Sequence, residues 1–190
     1  MPPQEVIRTF AKREQFEAIG GHKLLQVPLT VKAGTEIRRG AVCGVKTADD
    51  YLRERKRSLS AGTGFSDSSP TGQVTNGDGV RFEAGDVLKN EAGDTIGTIQ
   101  SIDVTTNPDT ITLTGNAGVN VAVGEAVVAS DGSEVAACIA DESVASTETK
   151  DTQLSPIIGG PVKESLLLGL DDSARAELNG KSFPGGIFKF

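Results

Sequence analysis

Residues 80–140 read VRFEAGDVLKNEAGDTIGTIQSIDVTTNPDTITLTGNAGVNVAVGEAVVASDGSEVAACIA, and this stretch decides the fold. Short apolar runs recur in it: Val80 to Phe82, Val87-Leu88, Thr95 to Ile102, Thr110 to Thr114, Val119 to Val123, Ala126 to Ala129 and Glu134 to Ile139. Turn signals separate them, among them Ala84-Gly85-Asp86, Asn90 to Asp94, Gly124-Glu125 and Ser130-Asp131-Gly132. Val, Ile and Thr dominate the runs, and such side chains suit a half-buried pleated surface. Short strands at this spacing predict a mainly β fold, a small antiparallel β-barrel or sandwich.

The stretch also carries a weak internal repeat. Ala84-Gly85-Asp86-Val87-Leu88 leads through Gly93 to Ile96-Gly97-Thr98-Ile99, and Val123-Gly124-Glu125-Ala126-Val127 leads through Gly132 to Val135-Ala136-Ala137-Cys138. Ala33-Gly34-Thr35-Glu36-Ile37, through Gly40 to Val42-Cys43-Gly44-Val45, is a shorter relative. Each unit needs two backbone positions that tolerate positive φ, with aliphatics between them.

Outside the core the chain divides into four parts. Residues 1–26 read as an extended N-terminal arm, with a weak amphipathic pattern ending at Gly20-Gly21. Residues 27–57 read as a first β segment followed by a basic stretch, in which Tyr51 to Arg57 could form one or two helical turns. Residues 58–79 are rich in Ser, Thr, Gly, Asp and Asn and read as an exposed polar loop. Residues 141–190 read as a surface loop, a short C-terminal helix capped by Asp171 or Asp172, and an apolar tail that tucks into the core or onto a neighbouring subunit.

Composition narrows the function. The chain has 190 residues, 23 Gly, 4% aromatic residues and no Trp, so its core is built from small aliphatics. Net charge is -7, divided unevenly: residues 1–57 carry 12 Lys+Arg against 7 Asp+Glu, and the remainder carry 7 against 19. An acidic main body argues against nucleic acid as a partner. The basic start could dock on an acidic surface or pair head to tail with another copy. No apolar run approaches the roughly 20 residues needed to cross a bilayer, and the charged first 20 residues lack the apolar segment of a signal peptide.

No constellation for catalysis emerges. His22 is the only histidine and has no evident partner. Gly180-Lys181-Ser182 lacks the upstream Gly of a phosphate loop, because Arg175 occupies that position. Ala61-Gly62-Thr63-Gly64-Phe65 has no strand–helix frame and reads as a flexible loop. Asn76 to Gly79, Asn90 to Asp94 and Asp131-Gly132 resemble turn sequences more than calcium loops. Cys43 and Cys138 sit in apolar runs and read as two reduced core thiols. The chain is therefore expected not to be an enzyme and to need no cofactor or metal.

The run Val31 to Thr47, together with Phe82 to Ile102, resembles segments of the head decoration (capsid cement) proteins of tailed bacteriophages. Gly159-Gly160-Pro161-Val162 to Leu178, with the ending Gly186 to Phe190, is similar to small phage structural proteins of the same neighbourhood. The resemblance implies a structural virion protein, made in the bacterial host cytoplasm, that binds the capsid exterior and bridges major capsid subunits, commonly as a homotrimer. It places capsid binding on the arm, with Arg8, Phe10, Lys12, Arg13 and Phe16 as anchors, and self-association on Phe183, Ile187, Phe188 and Phe190. Simple core packing is the competing role for those last four. Other readings stay open: a tail, neck or fibre-base component, a carbohydrate- or host-surface-binding module, or an enzyme of unrecognised type. A sugar binder usually stacks on exposed Trp or Tyr, and Tyr51 is the only Tyr here.

Overall fold

A computed structural model describes residues 25–180 and 188–189. The chain enters through β1 (Leu25–Gln26), β2 (Leu29–Val31), β3 (Val42–Val45) and β4 (Leu52–Glu54). It continues through β5 (Arg57–Phe65), β6 (Thr71–Val74), a 3-10 turn (Gly79–Arg81), β7 (Val87–Asn90), β8 (Thr95–Asp103), β9 (Asp109–Leu113) and β10 (Ala126–Ala129). It returns through β11 (Cys138–Ile139), β12 (Thr152–Leu154) and β13 (Ile157–Pro161). A second 3-10 turn (Glu164–Leu166), α1 (Asp172–Gly180) and β14 (Phe188–Lys189) follow.

The protein is mainly β, as its alternating runs predict. Strands β5 to β10 close an antiparallel barrel in the order β10-β5-β6-β9-β8-β7. The barrel is inserted into a sheet ordered β1-β13-β11-β3-β4, to which β14 adds in parallel beside β13. A small ribbon, β12-β2, packs alongside. Full closure removes open edges from the barrel.

Alternation places the core. Along β9, Asp109, Ile111 and Leu113 point inward while Thr110 and Thr112 are only half buried. Ile111 and Leu113 join Phe65, Val74, Leu88, Ile96, Ile99 and Val127 inside the barrel. Each such side chain contributes about 1.5–3 kcal/mol by leaving water. Gly72 makes room for the largest of them: a Cβ there would lie 2.1 Å from Cδ1 of Phe65. A second core, with Val31, Ile37, Leu52 and Leu154, lies on one face of the sheet. A third, with Val42, Ile139, Ile157, Ala174 and Leu178, seats α1 on the other.

The repeat's glycines adopt the backbone expected of them. Gly85, Gly93, Gly124 and Gly132 have φ of 94°, 91°, 89° and 97°, and Gly34 and Gly40 have 80° and 81°. Only the first unit closes as a hairpin, through β7 and β8. The return strands of the other two, β11 and β3, pair with each other instead.

Several segment boundaries differ from the sequence reading. Residues 58–79 are not a polar loop but hold most of β5 and all of β6. The reason is an inverted alternation: Ser58 and Ser60 face inward at 4% and 2% exposure, while Leu59 faces out at 48%. Ser58 satisfies its hydroxyl by donating to Oδ2 of Asp78 at 2.8 Å. Tyr51 to Arg57 is not helical but contains β4 and the start of β5. The barrel therefore runs from Arg57 to Ala129, and residues 130–140 return to the sheet. The surface loop expected after residue 140 contributes β12. Leu25 and Gln26, placed in the arm by the sequence, form a sheet strand against β13. The short helix stands where expected, and Oδ1 of Asp171 caps it by accepting from the Ala174 amide at 2.6 Å.

Candidate functional site: a seam of buried charge

Arg53-Glu54-Arg55-Lys56-Arg57 carries the chain from the sheet into the barrel. Its first four residues are buried, at 4%, 5%, 3% and 1% exposure. Extended backbone sends successive side chains to opposite sides, so these charges must find partners on both. Backbone bonds hold the crossing: the Arg55 amide donates to Val42 O at 2.9 Å, and the Ala129 amide to Lys56 O at 3.1 Å.

Three clusters result. Around Lys56, Nζ lies 2.7 Å from Oδ1 and 2.8 Å from Oδ2 of Asp86, 3.0 Å from Oδ2 of Asp131 and 3.9 Å from Oε2 of Glu83. Arg53 pairs with the same Glu83. Around Glu54, Arg38 binds in a fork, with Nε to Oε1 at 2.9 Å and Nη2 to Oε2 at 2.6 Å, and Arg81 approaches to 3.7 Å. Around α1, Arg55 reaches Asp171 at 2.9 Å and Glu177 at 3.0 Å, and Arg57 reaches Asp171 at 2.9 Å and Glu91 at 2.8 Å. Glu177 also accepts from the Ala136 amide at 2.5 Å. The clusters bolt together barrel, sheet and helix.

The carboxylates register this environment. Burial pushes Glu83 upward, but the bond from Arg53 and the nearby Lys56 outweigh it and leave Glu83 below its ordinary value. Asp131 is lowered against its own burial by the Ser133 hydroxyl and amide and by Lys56. Asp171 is lowered against burial by the Ala174 amide, Arg55 and Arg57. Asp78 goes the other way, because burial exceeds the pull of Arg81.

The seam takes up four of the cations in the basic first 57 residues. The cations of the 53–57 run pair internally with acids from later in the sequence. The described surface is left acidic. Among the described residues fourteen carboxylate side chains are exposed, Glu36, Asp49 and Asp50 among them, against three lysines, Lys32, Lys150 and Lys163.

A cleft of about 190 Å³ opens beside the seam, lined by Thr35, Glu36, Arg53, Glu54, Arg81 and Glu83. Glu54 and Glu83 there are engaged by Arg38, Arg53 and Arg81. The acidic turns are structural: both the Gly77 and Gly79 amides donate to Oδ2 of Asp109, at 2.9 and 2.7 Å, and the Asp94 amide donates to Oδ1 of Asn90 at 2.8 Å. Among the described residues no group of three His, Cys, Asp or Glu is placed to hold a metal ion, and no helix is long and apolar enough to cross a membrane.

Arg8, Phe10, Lys12, Arg13 and Phe16, expected at the capsid, lie outside the described residues, as do Phe183, Ile187 and Phe190. The backbone of Phe188 pairs with Gly160 of the same chain. Sequence reasoning missed the seam because five consecutive charges read as a solvated face. The available signal was the frame, Leu52 before the run and Ser-Leu-Ser after it, which is a strand's alternation. No family model matches the chain, and neither a curated protein nor a solved structure matches it.

Proposed function

We propose that this chain is a structural virion protein that binds the outside of an assembled phage capsid and bridges its major capsid subunits, as a homotrimer. The observation that carries the reading is the division of charge among the described residues: the cations of the 53–57 run are taken up inside a bolted two-part β body, and the exposed charges are mostly acidic. Such a surface repels nucleic acid and suits adhesion to a protein lattice. The segments that resemble decoration proteins support it, since Val31 to Thr47 contains β3 and Phe82 to Ile102 contains the β7–β8 hairpin. The mechanism is differential affinity. A protein that binds the expanded shell and not its precursor stabilises that shell by mass action, about 2.7 kcal/mol at a hundredfold excess over Kd.

The test adds purified protein to expanded capsids that lack it. A higher capsid melting temperature and saturable binding are expected. No shift at saturation refutes the role, and density for the chain on the tail or neck of a virion would move it there.

A further inference from the structure

Cys43 on β3 and Cys138 on β11 are direct register partners across an antiparallel pair. Backbone bonds tie the strands nearby, from the Ala137 amide to Cys43 O at 2.7 Å and from the Ala140 amide to Ala41 O at 2.9 Å. Opposed residues in such a pair have Cα atoms about 4.5–5.5 Å apart. A disulfide needs roughly 4.4–6.8 Å. The side chains also share a face: both cysteines belong to the core with Val31 and Leu52, while their neighbours Val42 and Ile139 belong to the core on the other face. Both are fully buried and reduced.

Their place in the chain gives the pair a consequence. The chain leaves the sheet by way of β3 and β4, builds the whole barrel, and comes back at β11. A link from Cys43 to Cys138 would close a loop containing every barrel strand. It would sit where the outgoing and returning passes meet, next to the Lys56 crossing.

We propose that Cys43 and Cys138 form a latent cross-strand disulfide that hydrogen peroxide closes, locking the base of the barrel to the sheet. One cysteine sulfur attacks a peroxide oxygen and the O–O bond breaks. This gives a sulfenic acid, and the departing hydroxide takes up the thiol proton as water. The second sulfur then forms the S–S bond and displaces the sulfenic oxygen, which leaves as a second water. Two thiols lose two electrons and peroxide gains them. The bond to Cys138, and then burial, hold the Cys43 thiol well above its ordinary value. The first step is therefore slow near neutrality and speeds up as pH rises. Burial also excludes bulky disulfides, which makes a small neutral peroxide the effective oxidant.

The test treats the intact folded protein with hydrogen peroxide and reads mass, free thiols and melting temperature. The proposal expects the loss of two hydrogen atoms in mass, no free thiol, and a non-reduced peptide pair joining Cys43 to Cys138. Melting should rise by about 10 °C, reversibly with dithiothreitol, because a loop of this length is strongly restricted in the unfolded chain. Cys43→Ser should instead gain oxygen at Cys138 without a melting shift; the readings on the unaltered protein decide the matter if that variant does not fold. Retained thiols after prolonged treatment, oxygen gain without a cross-link, or disulfide-linked dimers would each overturn the proposal. None of these readings depends on capsid binding.

Discussion

Lys56→Met tests the seam most directly. The substitution keeps the length and apolar stem of the side chain and removes only the ammonium group. In the native structure that group lies within 3.0 Å of Asp86 and Asp131, and the lysine is 1% exposed. Without it, two largely buried carboxylates face each other with no cation between them. Removing one partner of a buried pair costs about 3–5 kcal/mol, because the remaining charge stays desolvated. For a domain of this size that is about 10 °C in melting temperature. Urea denaturation at pH 7 should show the midpoint falling with the slope unchanged. The pH dependence carries a second signature. Asp131 and Glu83 are lowered in the folded protein, so their stabilisation is present above the ordinary carboxylate range, near pH 4, and is lost as pH falls through their folded values. In Lys56→Met, Asp131 loses its cation while Glu83 keeps Arg53, and protonation relieves Asp131. The gap between the two proteins is therefore widest near neutrality and narrows in acid. A variant within about 0.5 kcal/mol of the parent at pH 7, a magnitude ordinary for surface substitutions, would refute the reasoning. So would a gap that does not change with pH.

Two further substitutions probe the rest of the framework. Gly72→Ala should destabilise the barrel by about 1–3 kcal/mol through overpacking, since the added carbon meets the Phe65 ring; unchanged urea stability would show that the ring can move aside. Asp171→Ala removes the helix cap and a partner of both Arg55 and Arg57, and should cost about 1–2 kcal/mol. Asp171→Asn should recover part of that loss by keeping the cap, and equal losses for the two would mean that the charges alone matter.

The fold was legible wherever side-chain chemistry and backbone period agreed. The β7–β8 hairpin, the positive-φ glycines and the capped helix rest on contacts a few residues apart. The polar strands β5 and β6 were not legible, because Ser58 and Ser60 sit inside the barrel and Leu59 outside it. Ser58 is held inside because a distant group, Asp78, accepts from its hydroxyl, and a linear reading does not see that partner.

By itself, the order of residues determined that this is a β protein with a small-residue core, sharply creased at glycines, and that its first 57 residues are net basic and the remainder net acidic. These follow from local sterics and composition. Only the tertiary structure decided that the charges meet inside the molecule, that the barrel is an insertion into a second sheet, and that two cysteines 95 positions apart stand opposite one another. Ion pairing and strand register act over spatial distance, and closure of the barrel is what brings Lys56, Asp86 and Asp131 to one point.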